Sequence, residues 1–402
     1  MADSVLFGSH MQDLLPSDAQ GNPLIFISAA EPSADLHGAS LIRATRALCP
    51  EARFAGVAGP KMQAEGCWPI FDMSHHAAML LGALGAVGRA IAMMRTCDAH
   101  LRLYPFDAAV VIDSPMVHLP LAGRAQSAGV PVMYYIAPQM WAWGSYRIYK
   151  LRHRTDKVAV ILPFEEEYFR HRGIDARYVG HPLMDHLQRA TISAKQLEDI
   201  RGEATPFVTL LPGSRKHVVQ EVLRGQLEVA ERIAAEFPHA RFGVSVANDR
   251  VAGAIREALA ARSGLPIKSH PGQHSALIGA ADLVLVASGT TTLEVAYHGK
   301  PMIVMYNASR LFYHLIGRWM IQTPHLCLPN ILAGREIVPE FMPYYKTTGP
   351  IAEKAIQLLR SQSMQEQMKR DLAQVVASLK TENASRNAAQ MLLEMATKKR
   401  SH

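Results

Sequence analysis

Residues 283–294, LVLVASGTTTLE, join an apolar run directly to a segment rich in hydroxyl groups. The five apolar residues predict a strand buried on both faces, and Ser288-Gly289-Thr290 then opens a helix. A helix N-terminus presents backbone N–H groups that bind phosphate, so this junction is the strongest candidate for a phosphate cradle in the chain. Glu294, about one turn into the helix, either accepts hydrogen bonds from ribose hydroxyls or is an ordinary acidic first-turn residue.

The same strand–turn–helix pattern recurs on both sides of this junction. Strands that alternate with helices predict parallel β-α-β units with helices on both faces of the sheet. The pattern restarts near Phe207, after a polar stretch at residues 186–205 with no strand signal. Apolar runs predict strands at residues 23–28, 53–58, 108–113, 131–136, 158–162, 207–211, 242–246, 283–287 and 301–306.

Two tandem Rossmann-like domains account for this pattern, so the expected fold class is α/β. Ligands of such sheets bind at the carboxyl ends of the strands, and we expect the site in a cleft between the facing domains. The predicted division is a loose extension at residues 1–21, a first Rossmann-like domain at 22–195, a second at 196–350 and a helical tail at 351–402.

The composition is that of a globular protein with two ordinary cores. The chain has 402 residues, of which 49% are hydrophobic. Its net charge of +7 favours anionic partners, although charge alone does not choose among nucleic acid, phosphorylated substrates and anionic lipid. Four cysteines without metal-type spacing indicate a reducing cytosol, and residues 1–21 lack the basic start of a secretory signal. Residues 77–88, which carry no charge, suit an interfacial or buried helix better than a membrane span.

Two loops of the first half carry candidate acceptor-side groups. After the first strand, Glu31, Ser33 and Asp35 either face a phosphate or sugar or, as the sequence alone favours, cap the next helix. Asp113 ends the strand at residues 108–113. It is either a general base for an acceptor hydroxyl or the cap of the following helix.

Two further loops carry aromatic and cationic groups. Residues 137–144, APQMWAWG, place Trp141 and Trp143 where their rings either pack on a sugar or acyl chain or fill the loop itself. Arg215 follows a Gly turn after residues 207–211, and its guanidinium is suited to a diphosphate that gains charge as its bond to a sugar breaks. No HExxH, HxH or GxSxG pattern is present, so neither a metal site nor a nucleophilic hydrolase is expected.

Several motifs in matching order resemble one family over residues 23–345. They are AEPSADLHGASLIRA, FAGVAGPKMQAEGC, VVIDSP, YYIAPQMWAWGSYRIYKL, LPFEEEYFRHRG with VGHPLMDH, LLPGSR, ASGTTTLE and LPNILAGREIVPEF. This sequence resembles the lipid-A-disaccharide synthases, which are inverting glycosyltransferases of the GT-B type.

The resemblance implies a defined reaction. UDP-linked diacylglucosamine gives its sugar to the 6-hydroxyl of diacylglucosamine 1-phosphate and releases UDP, with neither metal nor other cofactor and with no nucleic acid partner. The enzyme is expected on the cytoplasmic face of the bacterial inner membrane as a peripheral protein, and residues 77–94 fit a contact with acyl chains or the bilayer. The tail would pack back on the N-terminal domain or on a partner subunit, in a monomer or a homodimer.

The resemblance also implies that residues 22–195 form the acceptor domain and residues 196–350 the UDP-sugar-binding domain, and it implies roles for individual residues. Asp113 is the expected base, and Trp141 and Trp143 are expected near the sugar or acyl chains. The expected UDP-binding residues are Arg215, Ser288, Gly289, Thr290, Glu294 and Asn330. The expected acceptor-side residues are Glu31, Ser33 and Asp35.

The sequence departs from the family pattern mostly on the acceptor side. The family usually has Gly at the places of Ala30 and Ala34, Glu at those of Gly85 and Val218, Asp at that of Met116, and Asn at that of His118. Two alternatives follow from the same fold. One is a GT-B enzyme for another UDP-sugar, either a glycosyltransferase or an epimerase, and the other is a non-catalytic binder of lipid or nucleotide.

Overall fold

Two compact units make up the chain. The computed structural model describes residues 22–72, 83–142, 144–307, 323–380 and 383–400. One unit combines residues 1–185 with residues 381–402, and the other spans residues 186–380. Within the described ranges, none of the helices combines the length and apolar character that crossing a bilayer requires.

The first unit contains a seven-stranded sheet in which every neighbouring pair is parallel. The order in space is β3-β2-β1-β4-β5-β6-β7. Its central strands are buried along their whole length, which explains their continuous apolar runs. The strands are β1 (Leu24–Ala29), β2 (Arg53–Ala58), β3 (Cys67–Asp72), β4 (Ala108–Ile112), β5 (Val132–Tyr135), β6 (Lys157–Val160) and β7 (Ala176–Tyr178).

The second unit contains a six-stranded parallel sheet. The order in space is β10-β9-β8-β11-β12-β13. The strands are β8 (Phe207–Leu211), β9 (Arg241–Val246), β10 (Ile267–Pro271), β11 (Leu283–Ala287), β12 (Met302–Met305) and β13 (Glu340–Phe341).

Helices alternate with the strands in both units. The expected alternation of parallel strands and helices is therefore confirmed. The helices are α1 (Pro32–Leu48), α2 (Pro60–Ala64), α3 (Ala83–Leu103), α4 (Pro115–Ser127), α5 (Ile148–Arg154), α6 (Pro163–Arg170), α7 (Pro182–Arg189), α8 (Ala194–Arg201), α9 (Lys216–Glu236), α10 (Asp249–Ala260), α11 (His274–Ala280), α12 (Thr291–Tyr297), α13 (Leu328–Ala333), α14 (Gly349–Arg360), α15 (Gln362–Leu379) and α16 (Ala384–Arg400).

The last helix returns to the first unit, whereas α14 and α15 belong to the second. Apolar residues of α16 join the buried cluster that β1 and α1 form on one face of the first sheet. The Asp185 carboxylate accepts hydrogen bonds from the backbone N–H groups of Ala384 and Ser385, both at 3.2 Å. These bonds satisfy two backbone N–H groups at the start of α16. The negative carboxylate also interacts favourably with the partial positive charge at the N-terminus of that helix.

All nine predicted strands are confirmed, and four others were not predicted. The additional strands are β3, β7, β10 and β13, and all four lie at a sheet edge. They are short or only partly buried, so their sequences lack a continuous apolar run. Pro271 ends β10, as is typical of an edge strand.

Candidate active site

Each sheet has one point where the order of the strands reverses. In the first unit it lies between β1 and β4, and in the second between β8 and β11. Loops leave the sheet in opposite directions at such a point and open a crevice at the carboxyl ends of the strands, where ligands of this fold class bind. Most of the residues predicted from the sequence lie in the loops after these four strands or in the first turn of the helix that follows.

Asp113 directly follows β4 and adopts a strained backbone conformation. Its φ is 55° and that of Ser114 is 44°, so two successive non-glycine residues are left-handed. Each such residue costs about 1–2 kcal/mol, and surrounding contacts must offset this cost. The backbone N–H of Asp113 still donates to the Tyr135 carbonyl at 3.1 Å, so the turn begins at the last bond of the β4–β5 ladder.

The carbonyl oxygen of Asp113 accepts two hydrogen bonds. One comes from the Tyr134 hydroxyl at 2.6 Å, and the other from His118 Nδ1 at 2.7 Å. His118 is fully buried, and its Nε2 lies 2.9 Å from the hydroxyl of Ser28 in β1. Burial lowers the pKa of His118 from 6.5 to about 4, so the ring is neutral at physiological pH.

The loops after β1 and β4 meet through Glu31 and Ser114. The Ser114 hydroxyl donates to the Glu31 carboxylate at 3.3 Å, and Glu31 and Ser33 are both exposed at the start of α1. Glu31 and the Asp113 turn are thus brought together, as expected for residues at a reversal point.

Asp35 occupies a different position from that of its neighbours. It is buried, and its carboxylate accepts from the backbone N–H groups of Gly59, Lys61 and Met62 at 3.0–3.1 Å. A Cβ on Gly59 would lie 2.6 Å from this carboxylate, so only glycine fits there. In the structure the Asp35 carboxylate therefore binds the N-terminal turn of α2, which follows β2, and does not cap its own helix α1 as the sequence favoured.

Trp141 is an internal anchor of its loop. It is buried, its Nε1–H donates to Glu165 at 2.9 Å, and its ring meets Phe164 edge-to-face at 4.9 Å. Burial raises the pKa of Glu165 to about 7, against the lowering effect of the bonds from Trp141 and from two backbone amides. Glu165 was not predicted from the sequence, and Trp143 lies outside the described residues.

In the second unit, the loops after β8 and β11 lie side by side. Gly213 has a φ of 103°, and a Cβ placed on it would lie 3.8 Å from Cβ of Ala287, the last residue of β11. Arg215 is exposed next to α9. The loop after β8 therefore approaches the carboxyl end of β11.

The loop after β11 is open at its glycine. Ser288 is half-buried, whereas Gly289 and Thr290 are exposed. Gly289 has a φ of 146°, and nothing lies within 4 Å of where its Cβ would be. A ligand therefore has room to approach the backbone closely at this position.

Glu294 is nearly buried beneath this loop and has two partners on α11. Its carboxylate accepts from the Ser275 hydroxyl, and its second oxygen lies 3.4 Å from His274 Nε2. Burial alone would raise the pKa of Glu294, but its interactions with His274 and Ser275 outweigh burial and hold the pKa below its usual value. His274 is in turn 2.8 Å from the Ser245 hydroxyl. No pattern in the sequence predicted Ser245, His274 or Ser275 as partners of this site, because they lie 19 or more residues from Glu294 along the chain.

Asn330, expected at the nucleotide, is fully buried and bonded to backbone. Its Oδ1 accepts from the N–H groups of Ile337 and Val338 at 2.8 and 3.0 Å, and its Nδ2 donates to the Val338 carbonyl at 2.9 Å. All of these partners shape the loop after α13. The described ranges contain no group of three or more His, Cys, Asp or Glu residues arranged for a metal ion.

Sequence comparisons connect this geometry with known proteins. A family model described as lipid-A-disaccharide synthetase matches residues 25–395. The lipid-A-disaccharide synthase of Azotobacter vinelandii is 36% identical over 379 residues, covering 92% of this chain and 98% of the relative. That of Nitrosococcus oceani is 33% identical over 375 residues, covering 93% and 96%.

Solved structures with the same fold are more distant in sequence. UDP-GlcNAc 2-epimerase from Neisseria meningitidis, bound to UDP-GlcNAc, has a TM-score of 0.57 at 14% identity, covering 94% of this chain and all of the other. Acinetobacter baumannii MurG has a TM-score of 0.56 at 10% identity, covering 92% and 99%. These likenesses support the predicted fold class of two Rossmann-like units.

Proposed function

We propose, on the premise that this chain belongs to the lipid-A-disaccharide synthase family, that its first unit activates the acceptor and its second binds the UDP donor. As a member of that family, it is a glycosyltransferase of lipid A biosynthesis. It transfers diacylglucosamine from UDP to the 6-hydroxyl of 2,3-diacylglucosamine 1-phosphate and releases UDP.

The placement of the loops after β8 and β11 carries the donor half of the proposal. The exposed Arg215 guanidinium and the open backbone at Gly289 would hold the diphosphate, with Ser288 and Thr290 adding hydroxyl donors. Negative charge grows on that diphosphate as the glycosidic bond breaks, so a fixed positive charge lowers the barrier. Glu294, held by Ser275 and His274, would keep an oxygen lone pair for the ribose hydroxyls.

The acceptor half of the proposal rests on the turn at Asp113. The Asp113 carboxylate would take the proton from the acceptor 6-hydroxyl as its oxygen attacks the anomeric carbon and UDP leaves from the opposite side. Glu31 and Ser33, exposed at the neighbouring loop, would bind the sugar hydroxyls. Asp35 and Asn330 would act through the loops that their side chains hold, rather than by touching substrate.

Inversion and independence of metal are parts of this proposal. A single displacement predicts a β-linked product from an α-linked donor, which the proton coupling constants of the anomeric centre report. Because Arg215 would supply the positive charge at the leaving group, turnover should persist in excess EDTA. A product with retained anomeric configuration would refute inversion. Loss of turnover in EDTA, with recovery when metal is added, would refute independence of metal.

Membrane contact is proposed for the first unit. Every large apolar or aromatic side chain that is exposed among the described residues belongs to it: Leu36, Ile91, Leu103, Met116, Tyr146 and Tyr149. Arg147 and Lys150 lie close to the two tyrosine rings, a combination suited to an anionic lipid surface. Of the uncharged segment at 77–88, residues 77–82 lie outside the described residues.

Vesicle co-sedimentation tests this contact. The protein should bind vesicles that contain phosphatidylglycerol, and a Tyr146→Ser, Tyr149→Ser double variant should bind them more weakly. Equal binding of both proteins would remove this surface from the membrane contact. The sequence leaves monomer and homodimer open, and light scattering with detergent and without it decides between them.

Parallel donor assays test the function itself. Acylated and acyl-free UDP-glucosamine are each incubated with the acylated sugar phosphate, and the products are identified by mass spectrometry. Formation of the acylated disaccharide from the acylated donor alone supports the proposal. Efficient turnover or epimerisation of the acyl-free UDP-sugar would favour the other enzyme classes, and UDP binding without turnover would favour a binder.

Substitution of Asp113 tests the mechanism. Asp113→Asn keeps the size of the side chain but removes its basicity, so turnover should fall roughly 100-fold or more. Asp175→Asn is the matched control, because Asp175 is exposed in the same unit and only pairs with Lys157. Near-normal turnover of folded Asp113→Asn would exclude Asp113 as the base.

A further inference from the structure

We infer that His118 is a positioning residue, which aims the Asp113 carboxylate by locking the left-handed turn that carries it. The inference rests on the proposed role of Asp113 as the base and adds a residue that acts through it. Three observations on the first unit support it: the strain at the turn, the hydrogen bonds to one carbonyl, and the connection to a neighbouring strand.

The strained turn does not hold itself in place. Neither Asp113 nor Ser114 is glycine, yet both are left-handed, and Pro115 follows directly. A Ser at this position usually caps the next helix, but the Ser114 side chain makes no capping bond and donates to Glu31 instead. The conformation must therefore be imposed from outside the turn.

The left-handed conformation of the turn is imposed at the Asp113 carbonyl. A carbonyl oxygen has two lone pairs, and here His118 Nδ1 and the Tyr134 hydroxyl occupy them at 2.7 and 2.6 Å. Fixing this oxygen fixes the peptide plane between Asp113 and Ser114. It thereby fixes the direction in which the Asp113 side chain leaves the backbone.

The hydrogen-bond roles of His118 follow from its partners. A carbonyl only accepts, so Nδ1 carries the proton, and Nε2 then accepts from the Ser28 hydroxyl at 2.9 Å. Full burial of the ring disfavours the charged form and maintains this arrangement. His118 thus connects β1 with the turn after β4, across the point where the strand order reverses.

Two amide substitutions separate positioning from simple filling of the core. Asparagine places its N–H near the position of Nδ1 and retains a donor for the Asp113 carbonyl. Glutamine places its N–H near the position of Nε2 and reaches Ser28 instead. Both are neutral and polar, so a residue that only fills space would tolerate the two about equally.

Steady-state kinetics and crystallography of the full chain form the test. His118→Gln should lower kcat roughly 10- to 100-fold, as expected for a misplaced base, with the KM of the donor changed less than about twofold. His118→Asn should stay within about threefold of the parent in kcat. In crystal structures, Asp113 and Ser114 should leave the left-handed region in His118→Gln and keep it in His118→Asn.

Equal kcat values for the two folded variants, or an unchanged turn in the His118→Gln crystal structure, would overturn the inference. If His118→Gln does not fold, Tyr134→Phe takes its place, since it removes the other donor to the same carbonyl. Tyr134→Phe should lower kcat without raising the KM of the donor, and an unchanged kcat would count against positioning. An inactive parent protein would refute the proposed function alone, because the two crystal structures still decide the role of His118.

Discussion

Replacing His118 with asparagine should make the first unit less sensitive to mild acid. Burial lowers the pKa of the His118 imidazole from 6.5 to about 4 in the folded protein. The unfolded chain therefore binds a proton at higher pH than the folded chain does, and acid favours unfolding between these two values. The free energy of unfolding should fall as the pH drops from about 6.5 to about 4, and His118 should contribute little to the slope above that window.

The size of the effect follows from the two pKa values. Between pH 7 and pH 5, a group with these values lowers the free energy of unfolding by about 2 kcal/mol. Asparagine does not titrate, so the loss between the two pH values should be smaller in His118→Asn by about that amount. The comparison uses the change with pH in each protein, so a constant cost of the substitution cancels.

Urea unfolding at pH 7 and pH 5, followed by tryptophan fluorescence, measures this difference. Trp68 and Trp141 both lie in the first unit, and Trp319, whose position falls in the second, is replaced by Phe in both proteins, so the signal reports the unit that contains His118. Burial and the charge of His37 also lower the pKa of His181 to about 4. His181 is present in both proteins, so its contribution to the pH dependence is the same in each. The same decrease in stability for the parent and for His118→Asn would refute the reasoning.

Three further predictions address the donor loop, the tryptophan loop and the last helix. Arg215→Lys loses the bidentate guanidinium and should lower kcat roughly 10-fold. Arg256→Gln is the control, because Arg256 is exposed on α10 and its replacement should leave kcat unchanged. Equal kcat values for the two variants would contradict the role of Arg215. Trp141→Phe removes the donor to Oε1 of buried Glu165, whose Oε2 keeps its two backbone amides. The free energy of unfolding should therefore fall by about 1–3 kcal/mol, and an unchanged urea midpoint would contradict this role of Trp141. Asp185→Ala removes the acceptor of two amides of α16, so hydrogen exchange of that helix should accelerate about fivefold or more; unchanged protection would show that the cap contributes nothing.

The fold class could be predicted because its signal is local. A central strand of a parallel sheet is buried on both faces, so runs such as residues 283–287 read as continuous apolar segments that end in a turn. The strands β3, β7, β10 and β13 escaped prediction because short or half-exposed strands leave no such run. Their assignment depends on a neighbouring strand that the sequence does not place beside them.

The loops of the candidate site could be predicted, but the direction of their side chains could not. Arg215 and Gly289 lie exposed where their turns indicated, since each follows the end of a strand. Asp35 instead binds backbone groups of the turn after β2, and Asn330 binds backbone groups of the loop that follows its own helix. Nothing in the pattern around either residue distinguishes these two outcomes.

The sequence by itself determined two α/β units and the loops that carry the candidate residues, because the spacing of apolar residues and the turn residues depends on near neighbours in the chain. The order of the strands, which places four of these loops at the reversal points, is a property of the tertiary structure. Only the tertiary structure decided which polar atoms those loops keep available. His118 meets Ser28 from 90 residues away and Glu294 meets Ser275 from 19, and both pairs depend on how strands and helices come together. A hydrogen bond is fixed by distance and angle in space, and chain separation specifies neither.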